Sequence, residues 1–134
     1  MKILVIDAQG GGIGRQLITE IRKLSRNDQI TAVGTNSVAT SAMLKAGADI
    51  AATGENAVRV NARSADVIIG PIGIVIADAM YGEITPVMAQ AHPQSDAVKI
   101  LLPVNKCDNY IAGVDNLTIS HLIDEALKKL VSLA

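Results

Sequence analysis

Residues 2–14, with the sequence KILVIDAQGGGIG, join a continuous apolar run to a glycine-rich turn and the start of a helical pattern. The run at 2–7 is typical of a strand buried on both faces of a parallel sheet. Glycine fills four of the five positions from Gly10 to Gly14, and glycine alone lets a backbone turn this tightly and approach a ligand this closely. The helix behind it has unpaired N–H groups at its start, which attract an anion. The segment therefore predicts a strand, a candidate phosphate cradle and a helix.

The succession of strand, polar turn and helix repeats along the chain. Predicted strands cover 2–7, 29–33, 49–52, 66–69 and 98–102, with a further edge strand at 110–114. Predicted helices begin near 13, 38, 73, 85 and 119, and a sixth covers 55–63, although Val58 and Val60 there alternate as in a strand. The last helix carries the charged i,i+4 pairs Asp124–Lys128 and Glu125–Lys129.

This alternation predicts a single Rossmann-like α/β domain over residues 1–134. Its expected architecture is three-layered, Rossmann-like or flavodoxin-like, with a mainly parallel sheet of about five strands and helices on both faces. A chain of 134 residues buries a real core without disulfides or a structural metal.

Composition limits the partners and the location. A net charge of -1 and scattered Lys and Arg residues argue against nucleic acid as a partner. The longest apolar stretch, 67–77, is too short for a membrane helix and is interrupted by Gly70, Pro71 and Gly73. The single Cys107 and the absence of a signal peptide favour a cytoplasmic protein. A hydrophobic content of 49% favours a homo-oligomer over a monomer.

Ligands of such sheets bind beyond the carboxyl ends of the strands, so the turns that follow the strands form one candidate surface. Two of these turns, after the first strand and at Gly70, bring bare N–H groups to a helix start. No metal site or catalytic residue is predicted. The candidate binding residues are Asp7, Gly10, Gly11, Gly12, Ile13, Gly14, Arg15, Thr35, Asn36, Gly70, Gly73 and Asn105.

Several of these residue types have a plainer interpretation beside the functional one. Asp7 either orders the glycine turn, which is the favoured role, or binds a ligand hydroxyl or a metal. Asn36 is favoured as a helix cap over a ligand contact. Cys107 has no neighbouring His that would mark it as a nucleophile, and Glu83, an isolated carboxylate near a turn, is favoured as solvated over a catalytic acid or base.

The glycine turn departs from both common nucleotide motifs. As a dinucleotide fingerprint it has Arg15 in place of the third glycine, and Thr35 and Asn36 stand where an acid is expected after the second strand. As the phosphate loop of nucleotide hydrolases it lacks the first glycine, the lysine and the Ser or Thr that holds magnesium, which argues against ATP hydrolysis.

The segment from Ala8 to Arg15 resembles the cofactor loop of short-chain dehydrogenases, with Ala8 for the first glycine. Arg15 and Thr35 leave NADP as an open alternative, because both side chains suit a 2′-phosphate. The chain has no Tyr-x-x-x-Lys pair downstream and is about half the length of that family, so catalysis of that type is not predicted.

Four segments taken together resemble an uncharacterised family of small bacterial proteins, classed as a domain of unknown function. They are QGGGIG at 9–14, GTN at 34–36 with ATSAMLKAG at 39–47, TGENA at 53–57 and GPIGI at 70–74. The similarity extends over nearly the whole chain. The family has no established activity, so the resemblance implies a relative and no reaction.

The sequence thus predicts a small cytoplasmic protein that binds a phosphorylated small molecule, with a nucleotide as the preferred class, at the glycine turn. Two alternatives stay open. One is a small enzyme that acts on a phosphorylated or nucleotide-linked substrate. The other is a non-catalytic oligomeric interaction subunit.

Overall fold

A five-stranded parallel sheet forms the centre of the protein in the computed structural model, which describes residues 1–24, 26–104, 108–114 and 116–134. The strands are β1 (Lys2–Asp7), β2 (Gln29–Gly34), β3 (Ile50–Thr53), β4 (Val67–Pro71) and β5 (Val98–Leu102). Their order across the sheet is β3-β2-β1-β4-β5, and every neighbouring pair is parallel. The expected α/β class with a parallel sheet of five strands is confirmed.

The direction in which successive strands are added reverses beside the first strand. The chain moves outward from β1 to β3, then returns to the other side of β1 with β4. Connections leaving β1 and β4 therefore diverge at this point, which is where doubly wound sheets bind ligands. Asp7 at the end of β1 pairs with Gly34 at the end of β2, so the turns after these two strands are adjacent.

Helices cover both faces of the sheet. They are α1 (Gly12–Lys23), α2 (Ser37–Lys45), α3 (Glu55–Ala62), α4 (Pro86–Ala91) and α5 (Ile119–Ser132), with a short 3-10 helix at Ile72–Val75. On one face Ile3 and Val5 pack with α1, α5 and Met43 of α2. On the other face Leu4 and Ile6 pack with α3 and α4. Every interior position of β1 is thus buried in apolar contacts, which explains its unbroken apolar sequence.

Three local predictions were wrong. Residues 110–114 form no strand, because Gly113 has a φ of +82° and the N–H of Val114 bonds back to Ile111. The helix expected after Gly73 is only the 3-10 helix, and extended backbone at Ile76 ends it. On α5 the ion pair joins Glu125 to Lys128 at 3.0 Å, an i,i+3 spacing.

Helix starts carry the side-chain caps that their sequences allow. The hydroxyl of Thr85 accepts a hydrogen bond from the N–H of Met88, and Thr118 caps α5 in the same way. Helix α1 differs, since its N-cap residue is Gly11, which has no side chain to offer. In the part of the chain that the structure describes, no helix has the length and apolar character needed to cross a membrane.

Candidate functional site

Packing of the chain requires two glycines in the turn after β1. Gly11 has a φ of +74°, which side chains disfavour, and a Cβ there would lie 2.8 Å from the Cα of Ala39. A Cβ at Gly14 would collide with the side chain of Met43 and lie 3.0 Å from the Cβ of Asp7. Close contact between β1, α1 and α2 therefore explains Gly11 and Gly14 without a ligand.

The other two glycines of the turn are exposed and have open space around them. A Cβ at Gly10 or Gly12 would meet no atom within 4 Å, and neither residue has a positive φ. Neither backbone N–H donates a hydrogen bond to an acceptor among the described residues. The fold therefore does not require glycine at Gly10 or Gly12, and two exposed residues, one just before and one at the start of α1, have N–H groups without a described partner.

The buried carboxylate of Asp7 stabilises the turn after β1 by hydrogen bonds. Its side chain is 2% exposed, and its two oxygens accept hydrogen bonds from the N–H of Ala8 at 2.8 Å and of Gly14 at 2.7 Å. Burial raises the pKa of this carboxyl above its usual value; hydrogen bonds from Gly14, Ala8 and Ile13 oppose the rise, and the charge of Glu83 adds to it. Asp7 therefore provides the side-chain cap that Gly11 cannot provide.

Glu83 lies over the turns that follow β1 and β2. One of its oxygens, Oε1, accepts hydrogen bonds from the N–H of Gln9 at 2.9 Å, the hydroxyl of Thr35 at 2.7 Å and Nδ2 of Asn36 at 2.8 Å. Desolvation raises the pKa of this carboxyl, but the three donors outweigh it, so the pKa lies below its usual value. The expectation that Glu83 is an isolated, solvated carboxylate was wrong.

The loop that carries Glu83 is tightly folded. The N–H of Asp78 donates to the carbonyl of Ile84 at 2.7 Å, and the N–H of Ile84 donates back to Ala79 at 3.2 Å. Asp78, Met80 and Tyr81 all have positive φ, a conformation that costs free energy in residues with side chains. Ala79, Met80 and Ile84 are buried beneath the loop, and this packing keeps the strained backbone in place.

Asn36 is a helix cap, as favoured from the sequence, and its side-chain amide also joins two turns. Its Oδ1 accepts a hydrogen bond from the N–H of Ala39 at 2.9 Å, which caps α2. Its Nδ2 donates to the carbonyl of Gln9 at 3.0 Å as well as to Glu83. The cap therefore also ties the turn after β1 to the turn after β2.

Other candidate residues lie farther from this cluster or in the core. Arg15 is exposed and lines a groove of about 260 Å³ between α1 and α5, with Asp124 across from it. Gly70 and Gly73 are buried, and a Cβ at Gly70 would collide with the carbonyl oxygen of Ile6. Packing of β4 against β1 thus explains Gly70.

Two residues named from the sequence, Asn105 and Cys107, lie outside the described residues. Elsewhere, within the described ranges, no three His, Cys, Asp or Glu side chains are grouped as metal ligands. The structure therefore brings together the turns after β1 and β2 and adds Glu83, which sequence reasoning missed. Glu83 is 47 residues from Asn36, so no local spacing pointed to their contact.

Comparison with known proteins agrees with the resemblance of the four sequence segments. The family described as "Domain of unknown function (DUF3842)" matches residues 2–134. The chain belongs to this family. No curated protein is significantly similar to it in sequence.

One solved structure has a backbone fold similar to that of this protein. It is that of a dodecameric FMN-dependent UbiX-like decarboxylase from Escherichia coli O157:H7, at 13% sequence identity and a TM-score of 0.46. The alignment covers 98% of this chain and 95% of that chain.

Proposed function

We propose that this protein binds a phosphorylated small molecule, with a nucleotide as the preferred class, where the turns after β1 and β2 meet. The phosphate would lie over Gly10 and Gly12, at the start of α1. The observation that carries the proposal is that both glycines are exposed, have no steric need to be glycine and have unbonded N–H groups. A phosphate that approaches bare backbone accounts for all three properties.

The surroundings of these amides support a binding role. Helix α1 has 12 residues and begins at Gly12, so its dipole is fully developed where the N–H of Gly12 lies, and Gly10 is two residues before that helix end. Asp7 accepts hydrogen bonds from deeper amides of the same turn and so fixes its shape before any ligand arrives. A preformed site loses less entropy on binding than a flexible one.

Titration calorimetry with pyrophosphate and AMP tests this proposal. Gly12→Val places a branched side chain in the open space over the turn, and we expect it to abolish binding of both probes. Ser64→Val is the matched control, because Ser64 is exposed just before β4 begins, at the end of the parallel strands opposite to the glycine turn. Pyrophosphate binding that is unchanged in Gly12→Val would refute the turn as the phosphate site.

Self-association and a cytoplasmic location stay predictions from composition. Large exposed apolar side chains are spread over several elements, with Val38 on α2, Ile50 on β3 and Val131 on α5. Light scattering coupled to size exclusion measures the mass in solution. A mass of one chain, about 14.0 kDa, would contradict the expected homo-oligomer.

A further inference from the structure

Glu83 presents one oxygen to the protein and one to the solvent side of the site. Oε1 receives all three hydrogen bonds, from Gln9, Thr35 and Asn36, whereas Oε2 receives none from any described residue. The residue is half-buried, and Oε2 is not among the side-chain atoms that are fully buried without a partner, so it is accessible to a ligand. Three donors on one oxygen fix the direction of the carboxylate, and the other oxygen becomes a pre-oriented anionic acceptor.

We propose that Glu83 binds the hydroxyl groups of a ribose-type diol on the ligand. This inference rests on the proposed function, because it assigns the part of a phosphorylated ligand that lies beside the phosphate. Glu83 reaches the end of β2 by its hydrogen bonds with the side chains of Thr35 and Asn36, which follow that strand. In doubly wound sheets of this strand order, an acid at the end of the second strand binds the ribose hydroxyls of a nucleotide.

The acid comes from an unexpected part of this chain. The sequence has Thr35 and Asn36 at the end of β2, and these two side chains hold the carboxylate of Glu83 instead of providing one themselves. The strained loop from Asp78 to Ile84 carries it across the end of β1. Strain of this kind persists only where the surrounding packing imposes it, and it is concentrated at functional positions.

The same geometry argues against a ligand with a 2′-phosphate, and so against NADP. The hydroxyl of Thr35, one of the two groups expected to suit that phosphate, already donates to the carboxylate of Glu83, and the other group, Arg15, lines the groove between α1 and α5. An added phosphate would face the negative charge of Glu83, and like charges at contact repel strongly. Hydroxyl groups, which donate hydrogen bonds, are the complementary chemistry.

Calorimetry with a set of probes tests the inference. AMP carries phosphate and diol, 2′-deoxy-AMP lacks one hydroxyl, ribose 5-phosphate lacks the base, pyrophosphate lacks the sugar and adenosine lacks the phosphate. We expect the wild-type protein to bind AMP about tenfold or more tightly than 2′-deoxy-AMP, since a hydrogen bond to a charged group is lost. Ribose 5-phosphate keeps both the phosphate and the diol, so binding as tight as that of AMP would identify a sugar phosphate as the ligand class and weaker binding a nucleotide. The comparison of AMP with 2′-deoxy-AMP decides whether the diol is recognised.

Glu83→Gln is the decisive variant. Its Oε1 still accepts from the three donors, but the free position carries an NH2 group, which donates. We expect AMP affinity to fall to that of 2′-deoxy-AMP while pyrophosphate affinity stays the same or rises. Glu125→Gln on α5, where Glu125 is exposed and pairs with Lys128, is the matched control and should change nothing. Thermal unfolding verifies that both variants are folded.

Failure of this inference can be told apart from failure of the proposed function. Equal binding of AMP and 2′-deoxy-AMP, with pyrophosphate binding that depends on Gly12, overturns diol recognition and leaves the phosphate site in place. Adenosine binding that depends on Glu83, without any pyrophosphate binding, overturns the phosphate site and leaves diol recognition in place. Absence of binding by all five probes overturns both.

Discussion

His92 makes the stability of this protein depend on pH. The residue follows α4 and is 2% exposed, and neither ring nitrogen forms a hydrogen bond with a described residue. Burial lowers its pKa from 6.5 to about 4; the backbone of Ile74, close to the ring but outside hydrogen-bond geometry, opposes the shift, and the charge of Lys99 adds to it. At about 1.4 kcal/mol for each pKa unit, this shift amounts to about 3 kcal/mol of stability.

The direction in which stability changes with pH follows from the protonation of His92 in the folded and the unfolded chain. Above pH 6.5, His92 is neutral in both the folded and the unfolded chain, and stability is unaffected. Between pH 6.5 and about 4 the unfolded chain takes up the proton and the folded chain does not, so the free energy of unfolding falls as the pH falls. Asp7, whose pKa is raised, contributes the opposite trend at low pH.

Urea unfolding of wild type and His92→Leu from pH 7.5 to 4.5 measures this contribution. The variant should lose the decline that belongs to His92, while the contribution of Asp7 is common to both proteins and cancels in the comparison. At pH 7.5 the variant should be at least as stable as wild type, because a buried polar group without a partner costs about 1–3 kcal/mol. His121→Leu, at an exposed position on α5, should keep the wild-type decline. An equal decline in wild type and His92→Leu would refute the reasoning.

The glycine turn gives two further predictions, both measured by thermal or urea unfolding. Gly11→Ala should destabilise the fold by about 2 kcal/mol or more, because its φ is positive and its Cβ would lie 2.8 Å from the Cα of Ala39, whereas Gly12→Ala should be neutral or stabilise by up to about 1 kcal/mol. Equal loss in both variants would contradict the packing assignment. Asp7→Asn should destabilise by about 1–3 kcal/mol, since one amide hydrogen would then face an N–H donor such as that of Gly14, and unchanged stability would show that the carboxylate is dispensable.

Much of the architecture could be predicted from local pattern. The unbroken apolar run of β1 indicated a strand buried on both faces, and its residues do alternate between the two halves of the core. The helix starts predicted near 85 and 119 are confirmed, since α4 begins at Pro86 and α5 at Ile119. These features depend on residues within one or two turns of each other, so a sequence window contains the necessary information.

Tertiary contacts determined the candidate site. Four glycines in one turn suggested a ligand, but only the approach of Ala39 and Met43 separates Gly11 and Gly14, which packing requires, from Gly10 and Gly12, which it does not. No spacing in the sequence distinguishes the two pairs.

Glu83 is the clearest example of the same limit. By itself it is a carboxylate in a polar turn, and its strained loop has no local pattern that predicts it. The strand order brings this loop over the end of β1 to Thr35 and Asn36, where three donors lower its pKa. The sequence by itself determined the sheet, its helices and the glycine turn, because each of them depends on a pattern of residues that are close together in the chain. Tertiary structure alone decided which amides are bare and which acid lies beside them, because both depend on contacts between residues far apart in the chain.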